Sequence, residues 1–162
     1  MGLIDGLFWG LADSASARKR RRKEQERLNT AKEKFRSGDY SDEDLLLVLA
    51  DLKKSNEPME VLKIIDTKGL GHAKGWELDF YHGWALMLSK RPDEARKKFE
   101  QSIAELNGSG LVVTEHVEAL LYMGLCFRVE NRIEEANAYR QKAIELDKRH
   151  FDGDMGIRDI EW

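Results

Sequence analysis

Cysteine is nearly missing from this chain: Cys126 is the only one in 162 residues. A single thiol excludes an internal disulfide framework, so stability has to come from packing. It stands beside Phe127 in an apolar helical stripe, where a thiol acts as a small buried hydrophobe and not as a reactive group. Proline is almost as scarce, with Pro58 and Pro92 alone, which leaves long stretches without a helix breaker. No apolar run reaches about eighteen residues, so nothing reads as an ordinary transmembrane helix.

The signatures of chemistry are missing too. His72, His82, His116 and His150 are scattered, without metal-ligand spacing and without a cysteine partner. Asp152 and Asp154 have the opening spacing of a calcium loop but lack its later ligands and closing glutamate. Asp79 and His82 share a helical face with no nucleophile near them, so a surface hydrogen bond is the expectation there. No phosphate-cradling glycine motif occurs. No catalytic residue, cofactor or metal is therefore expected, and the chain does not read as an enzyme.

What the chain has instead is charge, at 35% of residues, and helical periodicity. Charge at that level suits exposed helices laced with opposite signs. Between Glu118 and Leu146, the residues Leu120, Met123, Gly124 and Phe127 recur at three- and four-residue steps, which puts them on one helical face. Ala136, Tyr139, Arg140 and Ala143 do the same further on. Glu130-Asn131-Arg132 between them is a polar connection with room only for a tight antiparallel turn. The result is a helical hairpin whose facing stripes are rich in small residues.

The positions of Leu120, Met123-Gly124, Phe127, Ala136 and Ala143 resemble the tetratricopeptide repeat, a unit of about 34 residues. Arg140 stands where an aromatic belongs and Lys148 where a proline often closes the unit. A second copy carries Gly83, Ala95, Phe99 and Ser102, with Pro92-Asp93 at its turn and Asp93 placed to cap the second helix. A weaker third copy carries Leu45, Val48-Leu49, Val61 and Ile65. The resemblance covers about residues 40 to 148. It implies an all-α fold, a short α-solenoid of about three tetratricopeptide-like hairpins over 41–148. The distance from Ala95 to Ala136 exceeds one repeat by seven residues, so the Asn107–Gly110 connection or the helix from Leu111 carries an insertion, most simply a spacer.

In that family the first helix of each unit lines a concave groove. The resemblance thus implies that Phe80, Trp84 and Met87, then Leu121, Leu125 and Arg128, face such a groove, with Lys53 and Lys54 from the first unit. An exposed strip of this kind suits a protein partner, docked as an apolar or amphipathic helix or peptide. In the competing reading, part of the strip is core or is covered by the chain's own terminal helices. Chaperone cofactors of the family grip a peptide carboxylate with polar groove residues. Leu46 and Ala50 stand where two of those belong, so no such clamp is expected.

The first 23 residues differ from the rest. Leu3, Ile4, Leu7, Phe8 and Leu11 form one helical stripe with Trp9 beside it. Gly2, Gly6, Gly10 and Ser14 form a ladder of small residues that permits close helix packing. Arg18, Lys19, Arg20, Arg21, Arg22 and Lys23 follow without interruption. A secretory signal is rejected, because no base precedes the apolar run, Asp5 interrupts it and the bases lie on the wrong side. Myristoylation is weakly signalled, since Gly6 stands where Ser or Thr is wanted.

A membrane-surface anchor accounts for both parts. Each buried apolar side chain contributes ~1.5–3 kcal/mol at best, and each base near an anionic leaflet adds about 1 kcal/mol. Docking on another protein, or on its own copies through the glycines as a homo-oligomer, accounts for them equally well. From Glu24 onward 28 acids stand against 21 bases. Nucleic acid is accordingly disfavoured as a partner, the basic run being its one candidate site. Residues 24–40 read as a connecting helix, with Leu28, Ala31 and Phe35 on one side, ended at Ser37-Gly38-Asp39. Ser41 and Asp44 form a capping-box-like pair for the next helix. Residues 149–162, with Phe151, Met155, Ile157, Ile160 and Trp162 among acids, read as a cap on the last hairpin or as a peptide offered to a partner. The implied location is the cytoplasm, peripheral on the membrane where the anchor reading holds.

Overall fold

A computed structural model describes residues 15–70 and 75–152, and every regular element within them is an α-helix. The helices are α1 (Ala15–Ser37), α2 (Asp42–Lys54), α3 (Pro58–Thr67), α4 (Trp76–Leu88), α5 (Pro92–Ser109), α6 (Thr114–Val129) and α7 (Ile133–His150). Each of the seven is followed by a residue of positive φ: Gly38, Asn56, Gly69, Lys90, Gly110, Asn131 and Asp152. At four of these ends the same pair of bonds closes the helix. After α1, the Asp39 amide donates to the Lys34 carbonyl at 3.1 Å and the Gly38 amide to Phe35 at 3.3 Å. After α2, α4 and α6 the amides of Glu57, Arg91 and Arg132 reach Leu52, Leu86 and Phe127 at 2.9, 3.0 and 2.9 Å. This left-handed cap satisfies carbonyls that a helix end leaves open, and it turns the chain sharply.

The chain divides into two compact units, Met1–Val48 and Leu49–Trp162, with α2 crossing the boundary. In the first, Ala31 is fully buried while Leu28 and Phe35 are half-buried, and the Phe35 ring lies 5.0 Å from that of Tyr40. The Ser41–Asp44 capping box forms in full. The Asp44 amide donates to Ser41 Oγ at 3.2 Å, and the Ser41 amide and hydroxyl donate to Asp44 Oδ2 at 3.0 and 2.8 Å. Lys34 Nζ adds a bond at 3.1 Å.

These partners, first the Ser41 amide, then its hydroxyl and Lys34, hold the Asp44 carboxyl below its ordinary value of 3.8. A depressed carboxylate stabilises the fold above the unfolded value, and the effect is lost as pH falls through the lower folded value. Asp44→Asn should therefore lower the urea midpoint at pH 7. The gap from the parent should narrow as pH is taken below 3.8; a gap unchanged at low pH would refute the assignment.

In the second unit, consecutive helices run antiparallel. Trp76, Asp79 and Gly83 of α4 meet Ser102, Lys98 and Phe99 of α5, so the start of one lies at the end of the other. Arg96 and Phe99 meet Glu130 and Tyr122, which orders α5 and α6 the same way. Helices α4 and α6 are parallel, with Phe80 against Tyr122 and Met87 against Cys126. The fully buried core includes Phe80, Phe99, Leu86, Leu106, Met123 and Val117. Among the described residues Ser102 is the one fully buried polar side chain, and its hydroxyl donates to the Trp76 carbonyl at 2.9 Å.

Gly83 sets the closeness of α4 and α5. A Cβ there would lie 2.9 Å from Cε1 of Phe99, nearer than real Cβ contacts come. Two expectations are corrected. Asp93 does not cap α5: the N-cap position is Arg91, without a side-chain cap, and Asp93 accepts from Arg96 at 3.2 Å inside the first turn. The seven-residue insertion is not a loop spacer. It lies in helix length, since α5 has 18 residues where α3 has 10, and α6 has 16 where α4 has 13.

Candidate functional site

The strip expected to face a groove is only partly open. Phe80 is fully buried and Trp84 is 3% exposed, so the reading of both as exposed contact residues is corrected. The cause is a bridge between helices distant in sequence. Lys53 of α2 reaches Glu118 of α6 at 2.5 Å, and its ammonium lies 5.4 Å from the centre of the Phe80 ring. Its stem and charge thereby close over Phe80. Trp84 is covered from α6, where it is hydrogen-bonded to Tyr122, whose hydroxyl is pushed up to about 12, mainly by burial. Met87, Leu121 and Leu125 are half-buried, and Lys54 and Arg128 are exposed.

An apolar edge lies beside this strip. Leu88 is 44% exposed and Val129 64%, at the C-terminal ends of α4 and α6. Ile133 at the start of α7 and Met59 near the start of α3 are exposed as well. All four flank the turns at Asn56, Lys90 and Asn131, so they lie at one end of the helices, with Met59 Sδ accepting from the Ser89 hydroxyl at 3.6 Å. The sequence signal for this edge is an apolar residue next to each turn, a place where polar residues are usual.

Two charged groups brace the same end. Glu130 Oε2 accepts from Arg96 at 2.7 Å and Arg132 at 3.2 Å, and both guanidinium groups sit against Phe127, at 5.2 and 4.4 Å from its ring centre. Arg91 to Glu94 and Arg132 to Glu135 repeat one pair at matching positions of α5 and α7, both at 2.7 Å. Cys126 is fully buried against Met87, at 3.5 Å between sulfurs, and burial pushes its thiol up to about 12. At neutral pH it stays protonated and unreactive.

The inserted turns build a cleft of about 450 Å³ at the opposite end of α5, α6 and α7. Asn107, His116, Lys142 and Arg149 line it with Ile103 and Leu120. His116 is 6% exposed, and its Nδ1 has no hydrogen-bond partner among the described residues. Burial, with the nearby His150 charge, lowers its affinity for a proton. This histidine was not separable in sequence from the other three.

Asp79 does not pair with His82. It takes Lys98 at 2.8 Å, and His82 is held below its usual range by burial and then by the Lys98 charge. Arg18 to Lys23 are all exposed on α1, with Arg20 near Glu24 at 3.5 Å and Arg22 bonded to Glu26 at 2.9 Å. Leu3, Ile4, Leu7, Phe8, Trp9, Leu11 and the glycines Gly2, Gly6 and Gly10 lie outside the described residues, as does the tail from Gly153. Among the described residues no helix is long and apolar enough to cross a membrane, and no three His, Cys, Asp or Glu side chains form a metal-ligand group. No family model, no curated protein and no solved structure matches the chain.

Proposed function

We propose that this chain is a non-enzymatic helical-repeat adaptor or assembly subunit, tetratricopeptide-like in its repeats and tethered through its N-terminal segment to an anionic membrane surface or a larger complex. The recurrence of one local structure supports the repeat reading. The left-handed turns at Asn56, Lys90 and Asn131 are 34 and 41 residues apart, and one acid recurs at the same spacing: Glu60, Glu94 and Glu135 each follow their turn by four residues. The partner surface on this reading is the half-open strip of Met87, Leu121, Leu125 and Arg128 together with the apolar edge at Leu88 and Val129.

The observation that carries the tether is the run of six exposed bases on one helix. Like charges three and four residues apart cost a helix roughly 0.2–0.5 kcal/mol per pair, and only Arg20 and Arg22 have an acid four residues on. An anionic lipid surface relieves that repulsion, and the apolar residues before it supply insertion. Flotation of the full chain with liposomes tests this. The full chain should float on anionic vesicles and less on neutral ones, and Arg18→Glu/Arg21→Glu/Arg22→Glu should abolish flotation. If the parent chain stays at the bottom of the gradient with both lipids, the membrane is excluded and the segment docks on protein. Mass that rises with concentration would then favour a homo-oligomer built through the glycine ladder.

A further inference from the structure

We propose that the cleft between α5, α6 and α7 is a binding site for a small organic monoanion, a single carboxylate carried on an apolar body. The floor is set for such a body. Ile103, Leu120, Tyr139 and Leu146 line it. Ile103, Tyr139 and Leu146 pack on the buried cluster of Val117, Leu120 and Ala143, which fixes their positions before any ligand arrives. The volume of about 450 Å³ falls within the roughly 300–1,000 Å³ that small-molecule sites take. The lengthened ends of α5 and α6 supply Asn107 and His116, one in the last turn of α5 and the other in the first turn of α6.

The polar groups narrow the ligand. His116 is 6% exposed and its Nδ1 has no partner among the described residues, a state that a buried nitrogen keeps only at a cost. A carboxylate oxygen in the cleft removes that cost by accepting from the Nδ1–H tautomer. Burial, and then the His150 charge, keep this imidazole neutral at neutral pH, so it offers a hydrogen bond and the rim supplies the charge. Lys142 and Arg149 are exposed there, and neither makes an ion pair among the described residues. Lys142 is held over the Tyr139 ring, 4.6 Å from its centre. Glu145 is the one acid in the lining, and it accepts from Gln141 at 3.0 Å. Two bases less one acid leave a single positive charge, which matches one carboxylate. A nucleotide brings more negative charge than this rim offsets. A metal ion finds one imidazole and one carboxylate, too few for a ligand set. The site lies apart from both the basic run and the partner strip, and its occupancy depends on neither.

NMR titration of the full chain in lipid-free buffer, at neutral pH and constant ionic strength, tests this with benzoate and hexanoate as probes. Both should give saturable shifts of the His116 ring protons, which are assigned by their absence from His116→Leu. Benzamide, which has the ring without the charge, should bind at least about tenfold more weakly than benzoate. Inorganic phosphate, which has the charge without the apolar body, should also bind more weakly. His116→Leu removes the unpaired nitrogen, so its urea midpoint should match or exceed the parent's. It should nonetheless lose benzoate binding, read from the Asn107 side-chain amide, a combination that a purely structural histidine does not give. Arg149→Gln, an exposed change, should weaken benzoate about tenfold and decides the matter independently of folding. Absence of a saturable shift with both carboxylates overturns the proposal, as does benzamide or phosphate binding as tightly as benzoate. Benzoate affinity unchanged in Arg149→Gln overturns it too, because the probe then sits elsewhere.

Discussion

Gly83→Val should lower unfolding stability by about 3 kcal/mol, the upper end of what overpacking costs. The Cβ alone meets Cε1, Cδ1 and Cζ of Phe99 at 2.9, 3.0 and 3.1 Å. Relief would require the ring to turn or withdraw. It is fully buried and stacked on Tyr122 at 5.5 Å with 7° between planes, and Phe80 lies 6.3 Å away on another side. The ring has nowhere to go, so α4 and α5 must separate. Gly83→Ala carries a smaller version of the same clash against a helix-propensity gain of about 1 kcal/mol, and it should still be less stable than the parent. Shrinking the obstacle separates the two effects. Phe99→Leu alone opens a cavity, yet Gly83→Ala/Phe99→Leu should lose less than the two single losses added. Urea denaturation of the four chains measures this, and additive losses would mean that contact with Phe99 is not what makes glycine necessary.

The glycine itself was legible, because the small residue and the later Ala95 and Phe99 fall at spacings that only a close helical pair uses. So were the ends of α1 and the start of α2, where Gly38 and the Ser41–Asp44 pair carry local chemistry that acts within a few residues. The turn at Lys90 was harder to read: lysine does not announce a left-handed backbone as glycine or asparagine does, and only the neighbouring Pro92 marked it. The sequence pattern sets Phe80 and Trp84 on an open groove because their cover comes from far along the chain. The Lys53–Glu118 bridge joins residues 65 apart, and periodicity within one helix carries no information about it. The inserted helical turns failed for a related reason. Asn107-Gly108-Ser109-Gly110 has loop composition, yet the packing of Leu106, fully buried, keeps that end of α5 helical through Ser109. Local propensity lost there to tertiary burial.

Lys98→Ala should cost about 2–4 kcal/mol, because it strands a carboxylate that the fold has removed from water. Asp79 is 7% exposed, and its ion pair with Lys98 spans 2.8 Å between α4 and α5. Replacing both members by apolar residues of similar size, Asp79→Leu/Lys98→Met, should recover most of the loss, since the penalty lies in the unpaired charge and not in the missing attraction. His82 supplies a second readout. In the parent it is held below its usual 6.5 first by burial and then by the Lys98 charge, while Asp79 pulls the other way. A histidine with a lowered folded pKa binds protons more readily in the unfolded chain, so stability falls as pH drops below 6.5. Removing Lys98 deletes one lowering influence and leaves the opposing Asp79 charge in place. The His82 pKa, followed by NMR titration of its ring protons, should rise, and the acid-side loss of stability should become shallower in Lys98→Ala than in the parent. In Asp79→Leu/Lys98→Met both charges are gone, leaving burial with the weaker opposing effects of Asp66 and Arg91, so the pKa should settle below that of Lys98→Ala, which keeps the raising Asp79 charge. An unchanged His82 titration in all three chains would mean that the pair does not face the imidazole, and the loss of stability would then belong to the packing of the lysine stem alone.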